Sequence, residues 1–476
     1  MTHRRILLAF MTVLLLAGTS CEDGFLETNP STQVSDEILF QRIDGAQTVL
    51  NGIYRFIRNR NTDIESNGII SYQAGFDASA NDLIVYESMG QMQLYYGHHL
   101  DQTRADGGLT SGVWSYFYTI INNANIILEN IDRAEGEQAR KDEIRGQVLA
   151  IRGWAYFYLV RFYQQTYSIA KDMPGVPYYD VSTKNGKPRE SVATIYQHVV
   201  ADLTQSIELL AGFSRTYKSQ INRSVAQGIL AEVYLTMEDW NNAAAMAHAA
   251  RTDYSLMTAE EFRAGFNDWT TGEWMWGIEQ TDDQNLGNAS PFTLWANQTR
   301  GDRWTFDFYF VNDKFKELFE EQDVRNQFWQ RPDRGNLWTS DKFRDDAAYR
   351  GDVVFMRAAE MYLIEAEAFA RMNQDEQARQ VLWQLQDRRQ ASRAQTSGQD
   401  LVEDILVERR KELYGEGFAW FDLIRNLKPV HREGDHPRKP EIPARSWKFI
   451  LQIPTGEFNS NKSLTPADQN PFDGIY

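Results

Sequence analysis

The sequence has few of the features that would point to a disulfide scaffold, a membrane span or a nucleic acid partner. Its 476 residues include a single cysteine, Cys21, so no disulfide can form within the chain and stability must come from packing. Beyond residue 20, no apolar run approaches the roughly 18 residues that a membrane helix needs. Lys and Arg number 49 against 66 Asp and Glu, and the resulting net charge of −17 repels phosphate backbones. We therefore expect no nucleic acid partner.

Motifs of catalysis are also scarce. The sequence has no phosphate-binding Gly-Lys-Ser/Thr loop, no Gly-x-Ser-x-Gly elbow and no zinc helix with paired histidines. His98 and His99 are adjacent, and adjacent side chains point apart on a strand, which favours solvated histidines over metal ligands. A glycosidase pair such as Asp77 with Asp283 stays open, but among 66 acidic residues some pair always looks suitable. We predict neither an enzyme nor a cofactor or metal site.

The first 21 residues have the pattern of a lipoprotein signal. Residues 1–20 begin with basic side chains, continue through an apolar core and end in small residues before Cys21. A bacterial lipoprotein signal places its acylated residue there, although Gly18 stands where leucine is usual. The alternative is an ordinary signal followed by an accidental cysteine. We predict removal of 1–20, lipidation at Cys21 and no transmembrane helix, since each buried lipid CH₂ contributes about 0.8 kcal/mol.

Apolar residues recur at helical spacing over much of the chain, and two long irregular stretches interrupt them. Loops of such length in a compact chain are usually functional. The pattern also predicts helices at 222–237, 240–251 and 352–371 and strands at 274–278 and 449–453. The predicted divisions are a signal at 1–20, a lead and first helix at 21–60, loop-rich ligand-side regions at 61–110 and 254–350, helical repeats at 111–253 and 351–427, and a coil tail at 428–476.

Two short segments resemble each other. Ala231-Glu232-Val233-Tyr234-Leu235 and Ala359-Glu360-Met361-Tyr362-Leu363 are each followed by a turn and a second alanine-containing helix. Small residues at helix contacts, then an aromatic residue, then a second helix are typical of tetratricopeptide repeats. Two unrelated amphipathic helices are the alternative. The predicted fold is mainly α, a discontinuous tetratricopeptide-like superhelix with a loop-rich, small-β second subdomain.

Aromatic residues are abundant, with 13 Trp, 22 Tyr and 26 Phe. A sugar ring packs its C–H face on an aromatic plane, and its hydroxyls need amide, carboxylate or guanidinium partners. Both irregular stretches contain such groups, with simple packing as the alternative for each tryptophan. Trp274 and Trp276 are weaker candidates, because alternation on a strand would bury one face. The predicted ligand-binding residues are Asn81, Asp82, Tyr86, Tyr95, Tyr96, Trp295, Arg300 and Trp304, with Asn297 and Asp302 beside the last three.

Five segments of the chain share their pattern with one known family. They are the lead at 21–30, the aromatic helix at 152–160, the repeat helix at 357–368, the C-terminal signature at 408–425 and the closing segment at 453–471. In these segments the chain resembles the RagB/SusD family of outer-membrane nutrient-binding lipoproteins from Bacteroidetes. The resemblance covers nearly the whole chain, and departures from the family pattern are confined to the tail. Within the signature, Glu408, Arg409, Arg410, Glu412 and Glu416 lie at spacings that allow ion pairs, worth a few tenths of a kcal/mol if exposed.

The resemblance implies a binding protein at the cell surface. Its partner would be a SusC-like TonB-dependent transporter, and its ligand a glycan or oligosaccharide, with a peptide as the alternative. Two other classes stay open, an exported α/α glycoside hydrolase or lyase and a protein-interaction scaffold. Sugar binding without product release would favour the binding protein, and new reducing ends would favour the hydrolase.

Overall fold

The computed structural model describes residues 36–58, 68–86, 92–97, 104–281, 286, 290–295, 309–344, 351–472 and 474–475. It is mainly helical with short strands, as the sequence predicts. The helices are α1 Asp36–Leu39, α2 Ile43–Arg58, α3 Ile69–Ser79, α4 Gln93–Gly97, α5 Gly108–Asn130, α6 Gln138–Tyr163, α7 Tyr167–Ala170, α8 Val192–Leu209, α9 Arg223–Met237, α10 Trp240–Arg251, α11 Ala259–Ala264, α12 Asp313–Lys316, α13 Ala358–Arg371, α14 Asp375–Arg388, α15 Gly398–Leu413, α16 Ala419–Arg425 and α17 Thr455–Ser460. The strands are β1 Leu83–Val85, β2 Pro174–Pro177, β3 Arg189–Ser191, β4 Trp274–Ile278, β5 Tyr309–Val311, β6 Phe328–Arg331, β7 Leu337–Ser340, β8 Val353–Arg357, β9 Val430–His431 and β10 Glu441–Ile442.

The residues at the ends of two helices can determine the turn between them, as in the hairpin of α9 and α10. The side chain of Asn222 accepts the backbone N–H of Val225 and so caps α9. Glu238 ends that helix with a φ of 62°, in the left-handed region that reverses the chain. The next residue, Asp239, accepts the N–H of Asn242 and caps α10. Two residues therefore suffice to turn one helix back on the other.

The helices form a superhelix that is interrupted in sequence but continuous in space. Helix α6 packs against α5 and α8, and α9 packs against α10. Helix α10 then packs against α13, which begins more than a hundred residues later and in turn contacts α14 and α15. The strand pair β4–β8 closes the interruption, because Ile278 lies opposite Val353. This is the discontinuous superhelix predicted from the sequence.

The two resembling segments do not occupy equivalent places in their helices. The segment 231–235 lies near the end of α9, whereas 359–363 lies at the start of α13. Helices α9 and α13 contact each other, and the carboxylate of Glu232 helps to raise the pKa of Glu360. The resemblance therefore marks two helices that meet, rather than one position in two aligned repeats.

Several local predictions are wrong, for identifiable reasons. The stretch 61–110 contains α3, of which only Gln73 is not buried, so that helix shows no amphipathic period. In the range 352–371, which was predicted as one helix, residues 353–357 form strand β8 and only the rest forms α13. The apolar residues of the strand are continuous in sequence with those of the helix, so the pattern does not show the boundary. No strand occupies 449–453, where a short 3-10 turn at Trp447–Phe449 precedes extended chain. Strand β4 is present, but all five of its residues are buried, including Trp274 and Trp276.

Helix α6 lies at the centre of the larger core. Its residues from Gly146 to Val160 are all buried. One of them, Arg152, is charged, and its guanidinium donates two hydrogen bonds of 2.7 Å to the carboxylate of Asp202 on α8. Among the described residues, no helix combines the length and the apolar character needed to cross a bilayer.

Candidate functional site

The two stretches predicted to lie on the ligand side are joined by a β-sheet. Strand β1, from the first stretch, pairs antiparallel with β5, from the second, and the strand order is β1-β5-β7-β6. Leu83 lies opposite Val311, and Val311 lies opposite Trp338 on β7. This pairing places strands of the two stretches side by side in one sheet.

One face of this sheet carries partly exposed aromatic rings. Because side chains alternate along strands, the register places Tyr86, Phe310, Trp329, Arg331 and Leu337 on the same side. We call this set the Tyr86 face. Tyr86, Trp329 and Leu337 keep part of their surface exposed, whereas Phe310 is buried beneath them. The face therefore combines an apolar floor with rings that a ligand can reach.

Cationic groups border these rings. The Tyr86 ring lies 6.0 Å from that of Phe310, and the guanidinium of Arg334 lies 5.3 Å from the Tyr86 centroid. Arg331 lies 5.7 Å from the Trp329 ring and donates to Asp333 at 2.8 Å. Aromatic planes beside guanidinium donors can pack against the C–H face of a sugar and bind its hydroxyls.

Three of the predicted ligand residues are core residues instead. Tyr95 and Tyr96 are fully buried, and Trp295 is 2% exposed. The Tyr96 hydroxyl bonds to Nδ1 of His436 at 3.0 Å, and the Trp295 ring stacks on Phe343 at 5.0 Å. These rings have no free face for a sugar, so their burial does not support the predicted stacking role.

Asn81 and Asp82 have structural partners as well. The Asp82 carboxylate accepts two bonds from the Arg410 guanidinium, at 2.6 and 3.1 Å. The Asn81 side chain accepts the backbone N–H of His431 at 2.9 Å. Both residues line a groove of about 380 Å³, and among its described lining residues Phe315 is the one Phe, Tyr or Trp side chain and is itself 1% exposed. The described lining therefore offers no exposed phenyl, phenol or indole ring for sugar stacking.

Other predicted residues lie outside the described residues. They are Cys21, Arg300, Trp304, Asn297, Asp302, His98, His99 and Asp283. Their roles stay predictions.

A buried ion cluster, missed by sequence reasoning, holds the Tyr86 face in place. Among the described residues it contains five cations and five carboxylates, all buried: Arg325, Lys342, Arg357, Arg389 and Lys411 with Glu273, Asp323, Glu408, Glu412 and Glu416. Arg325 lies just before β6 and donates to Glu412 of α15 at 3.0 Å. Lys342 lies just after β7 and donates to Glu416 at 2.6 Å. The β6–β7 hairpin is thus attached to the C-terminal signature at both ends.

The magnitude given for exposed ion pairs does not apply to this cluster, because its members are buried. Burial disfavours the charge on Glu412, but Arg389, Arg357 and Arg325 outweigh that effect and hold its pKa well below the usual range. Breaking such a buried pair costs about 3–5 kcal/mol, against tenths for a surface pair. The signal was the dense charge of the signature itself, but its partners in the cluster lie far away in sequence, 87 residues in the case of Arg325 and Glu412.

Family profiles match two parts of the chain. One, described as starch-binding and associating with the outer membrane, covers residues 24–235. The other, described as the SusD family, covers residues 338–472. The first includes the lead and the early helices, and the second includes β7 and the C-terminal signature.

Curated relatives match at low identity. A SusD-like protein of Bacteroides ovatus is 24% identical over 242 residues, which are 50% of this chain and 40% of that relative. A SusD-like protein of Formosa agariphila is 22% identical over 526 residues, spanning 96% of this chain and 97% of that relative. The chain therefore spans less than half of the first relative and nearly all of the second.

Solved structures share the fold over most of the chain. A SusD-like carbohydrate binding protein from Bacteroides vulgatus superposes with a TM-score of 0.82 at 31% identity, covering 90% of this chain and 98% of that one. A laminarin-binding SusD-like protein superposes with a TM-score of 0.71 at 19% identity, covering 91% and 100%. The second comparison bears on the fold alone.

Proposed function

Because this chain belongs to the SusD family, we propose that it is a lipid-anchored surface receptor that binds an oligosaccharide and delivers it to a SusC-like TonB-dependent transporter. The family and its named relatives are binding proteins rather than enzymes. Capture and delivery break no covalent bond in the ligand. The site therefore needs stacking surfaces and hydrogen-bond partners, and no nucleophile.

The observation that carries the proposal is the Tyr86 face. Tyr86 is a predicted ligand residue whose ring is partly exposed, and Arg334 lies 5.3 Å from that ring. The ion cluster fixes the hairpin that supplies Trp329 and Arg331, so little ordering remains to be done when a ligand binds. Arg300 and Trp304, in the segment that begins beside Tyr309, are proposed to complete the site.

The anchor and the partner rest on different support. Cys21 follows a basic, apolar and small-residue leader, which supports lipidation there. The matched family profile is described as associating with the outer membrane, which supports a location beside a transporter.

A glycan array followed by isothermal titration tests the ligand and the site. The array, with peptides printed alongside, identifies the ligand class, and titration then measures its affinity for single variants. We expect Tyr86→Ala to weaken glycan binding at least tenfold, about 1.4 kcal/mol, because the exposed ring is lost. Tyr86→Phe keeps the ring and is expected to stay within about threefold of wild type.

Trp338→Ala is the matched control. Trp338 is a partly exposed aromatic residue of the same sheet, but alternation places it on the opposite side from Trp329 and Leu337. Its loss should leave glycan affinity unchanged. Wild-type affinity in Tyr86→Ala would show that the ligand binds elsewhere on the protein. Binding of peptides alone would show that the ligand is a peptide and not a glycan. New reducing ends after incubation with glycan would show that the protein is a hydrolase.

A further inference from the structure

A second groove lies on the helical side of the molecule, between α5, α17 and the segment that follows β2. Its volume is about 260 Å³, and it shares no residue with the Tyr86 face. Trp114, Tyr118 and Asn122 line it from α5, Tyr179 and Val181 from the segment after β2, and Glu457 from α17. We call it the Trp114 groove.

Three aromatic rings form a rigid wall of this groove, in which Tyr118 and Tyr179 are partly exposed and Trp114, 7% exposed, supports them from behind. The rings of Trp114 and Tyr118 lie 4.8 Å apart with an interplanar angle of 52°, and those of Tyr118 and Tyr179 lie 5.8 Å apart at 80°. The indole N–H of Trp114 donates to Glu457 at 3.1 Å, and the hydroxyl of Tyr118 donates to the carbonyl of Pro177 at 2.7 Å. Because each ring is held by its own neighbours, little side-chain freedom is lost on binding.

The rim of the groove exposes both apolar and polar groups. Val181 is 43% exposed, one of few large apolar side chains with that much surface in the described part of the chain. Asn122 is exposed, and its Oδ1 accepts the hydroxyl of Ser182 at 2.9 Å, which leaves Nδ2 as a donor. Glu457 accepts from Trp114 and from Asn461, and a carboxylate has further lone pairs to accept with.

The charges of the groove favour a neutral ligand. Its described lining residues include one carboxylate and no Lys or Arg side chain. Two cations lie beside it, and each is already paired. Arg152 donates to the lining residue Asn125 at 2.9 Å and to Asp202 at 2.7 Å. Lys187 lies 5.7 Å from the Tyr179 ring and is paired with Asp180 at 2.9 Å. A phosphate or carboxylate ligand would therefore meet Glu457 without a compensating charge. The volume lies below the roughly 300–1,000 Å³ of pockets for drug-sized ligands, which restricts the occupant to about one ring.

We propose that the Trp114 groove is a second sugar site, which binds one neutral hexose unit against its aromatic wall. The inference rests on the proposed function, since it assumes a protein that meets glycans, but it concerns a different surface. Two sites on one chain would let a long glycan remain attached at one while the other releases it, which raises the effective affinity for polymers over short oligosaccharides.

Fluorine NMR of the full chain labelled with 5-fluorotryptophan tests the site without knowledge of the natural glycan. The probes are methyl α-D-glucoside, methyl α-D-mannoside and methyl β-D-galactoside, and the spectrum of Trp114→Phe assigns the Trp114 resonance. We expect at least one probe to shift that resonance in a saturable way. The shift should persist in Tyr86→Ala and require at least fivefold more sugar in Asn122→Ala, an exposed substitution.

The outcomes separate this inference from the proposed function. No shift with any probe, in a protein that binds glycan in calorimetry, would overturn the second site and leave the Tyr86 face untouched. An identical titration in Asn122→Ala would also overturn it, because the sugar would then act elsewhere. A shift that survives Tyr86→Ala, while calorimetric glycan binding is lost, supports two independent sites.

Discussion

His436 is buried and engages both ring nitrogens, which fixes its charge. Its Nδ1 accepts the hydroxyl of Tyr96 at 3.0 Å, and its Nε2 donates to the carbonyl of Asn81 at 2.8 Å. A protonated ring could not accept from Tyr96 in this way. Burial, assisted by the charge of Arg432, lowers the pKa of His436 to about 4. The ring therefore stays neutral in the folded chain at pH values where an exposed histidine would be charged.

This neutral histidine predicts a loss of stability in mild acid. The unfolded chain binds a proton at His436 below about pH 6.5, whereas the folded chain does so only near pH 4. Stability from this residue is thus complete above pH 6.5 and falls as the pH drops towards 4, by up to about 3 kcal/mol. Urea unfolding between pH 7.5 and 5 should show a smaller loss for His436→Asn than for wild type.

His431 supplies a control of opposite sign. It is exposed, and the hydrogen bond that it donates to Glu441 raises its pKa, so its contribution is present in acid and is lost as the pH rises. His431→Asn should therefore steepen the loss in acid, if it changes it at all. Parallel pH curves for wild type and His436→Asn would contradict the assignment of a neutral, buried ring.

The contrast between Tyr86 and Tyr96 shows what sequence could and could not predict about the site. Both are tyrosines in the same irregular stretch, and both were predicted to bind ligand. Tyr96 is buried because its hydroxyl meets His436, 340 positions later, and Arg432 lies 4.2 Å from its ring. Composition locates the region, but the exposure of one ring depends on tertiary partners that no local pattern contains.

At the scale of elements, two buried glutamates are expected to differ in charge. Glu412 on α15 is charged and accepts from Arg325, Arg357 and Arg389. Glu360 on α13 makes no hydrogen bond to the described part of the chain, although Arg409 lies 3.8 Å from it. Burial, reinforced by nearby Glu232, raises its pKa well above the usual range. The first is held as an anion by its partners, whereas the surroundings of the second favour its neutral form.

Isosteric glutamine variants separate the two cases. Glu412→Gln removes the charge that compensates three guanidiniums and should lower the free energy of unfolding by about 3–5 kcal/mol. Glu360→Gln replaces one neutral group by another and should change it by less than about 1 kcal/mol. Urea unfolding at pH 7.5 compares them directly. Equal losses in the two variants would contradict the assigned charge states.

How well an element could be predicted depends on how much of its environment is contained in its own sequence. Helices α9 and α10 were predicted to within a residue, because an apolar stripe and the caps Asn222 and Asp239 are all contained in the helix and its ends. Helix α3 was missed, since a helix buried on all sides has no stripe. The ion cluster was missed because its charged residues pair with partners far away in sequence. A single sequence does not reveal which of these residues pair.

At the scale of the whole molecule, the predicted lipid anchor decides where the protein works. Cys21→Ala should abolish labelling by fatty acid in cells and release the protein from the membrane fraction, because acyl chains would be its attachment. Fatty-acid labelling and fractionation measure both effects. Cys21→Ala protein that still carries label would contradict the anchor. A matched Ser20→Ala variant keeps the acceptor cysteine and should label normally.

The pairing of β4 with β8 has a consequence for how new ligand specificities can arise. Because Ile278 and Val353 are paired, the segment between them leaves and re-enters the superhelix at one point. We call this segment, whose two ends adjoin, the cassette. A foreign cassette could be spliced in without moving either helical half. It would have to bring its own counter-ions, however, since Arg325 and Lys342 travel with the segment while Glu412 and Glu416 stay behind. Diversification of the binding face is thus free in its loops and constrained at two cations.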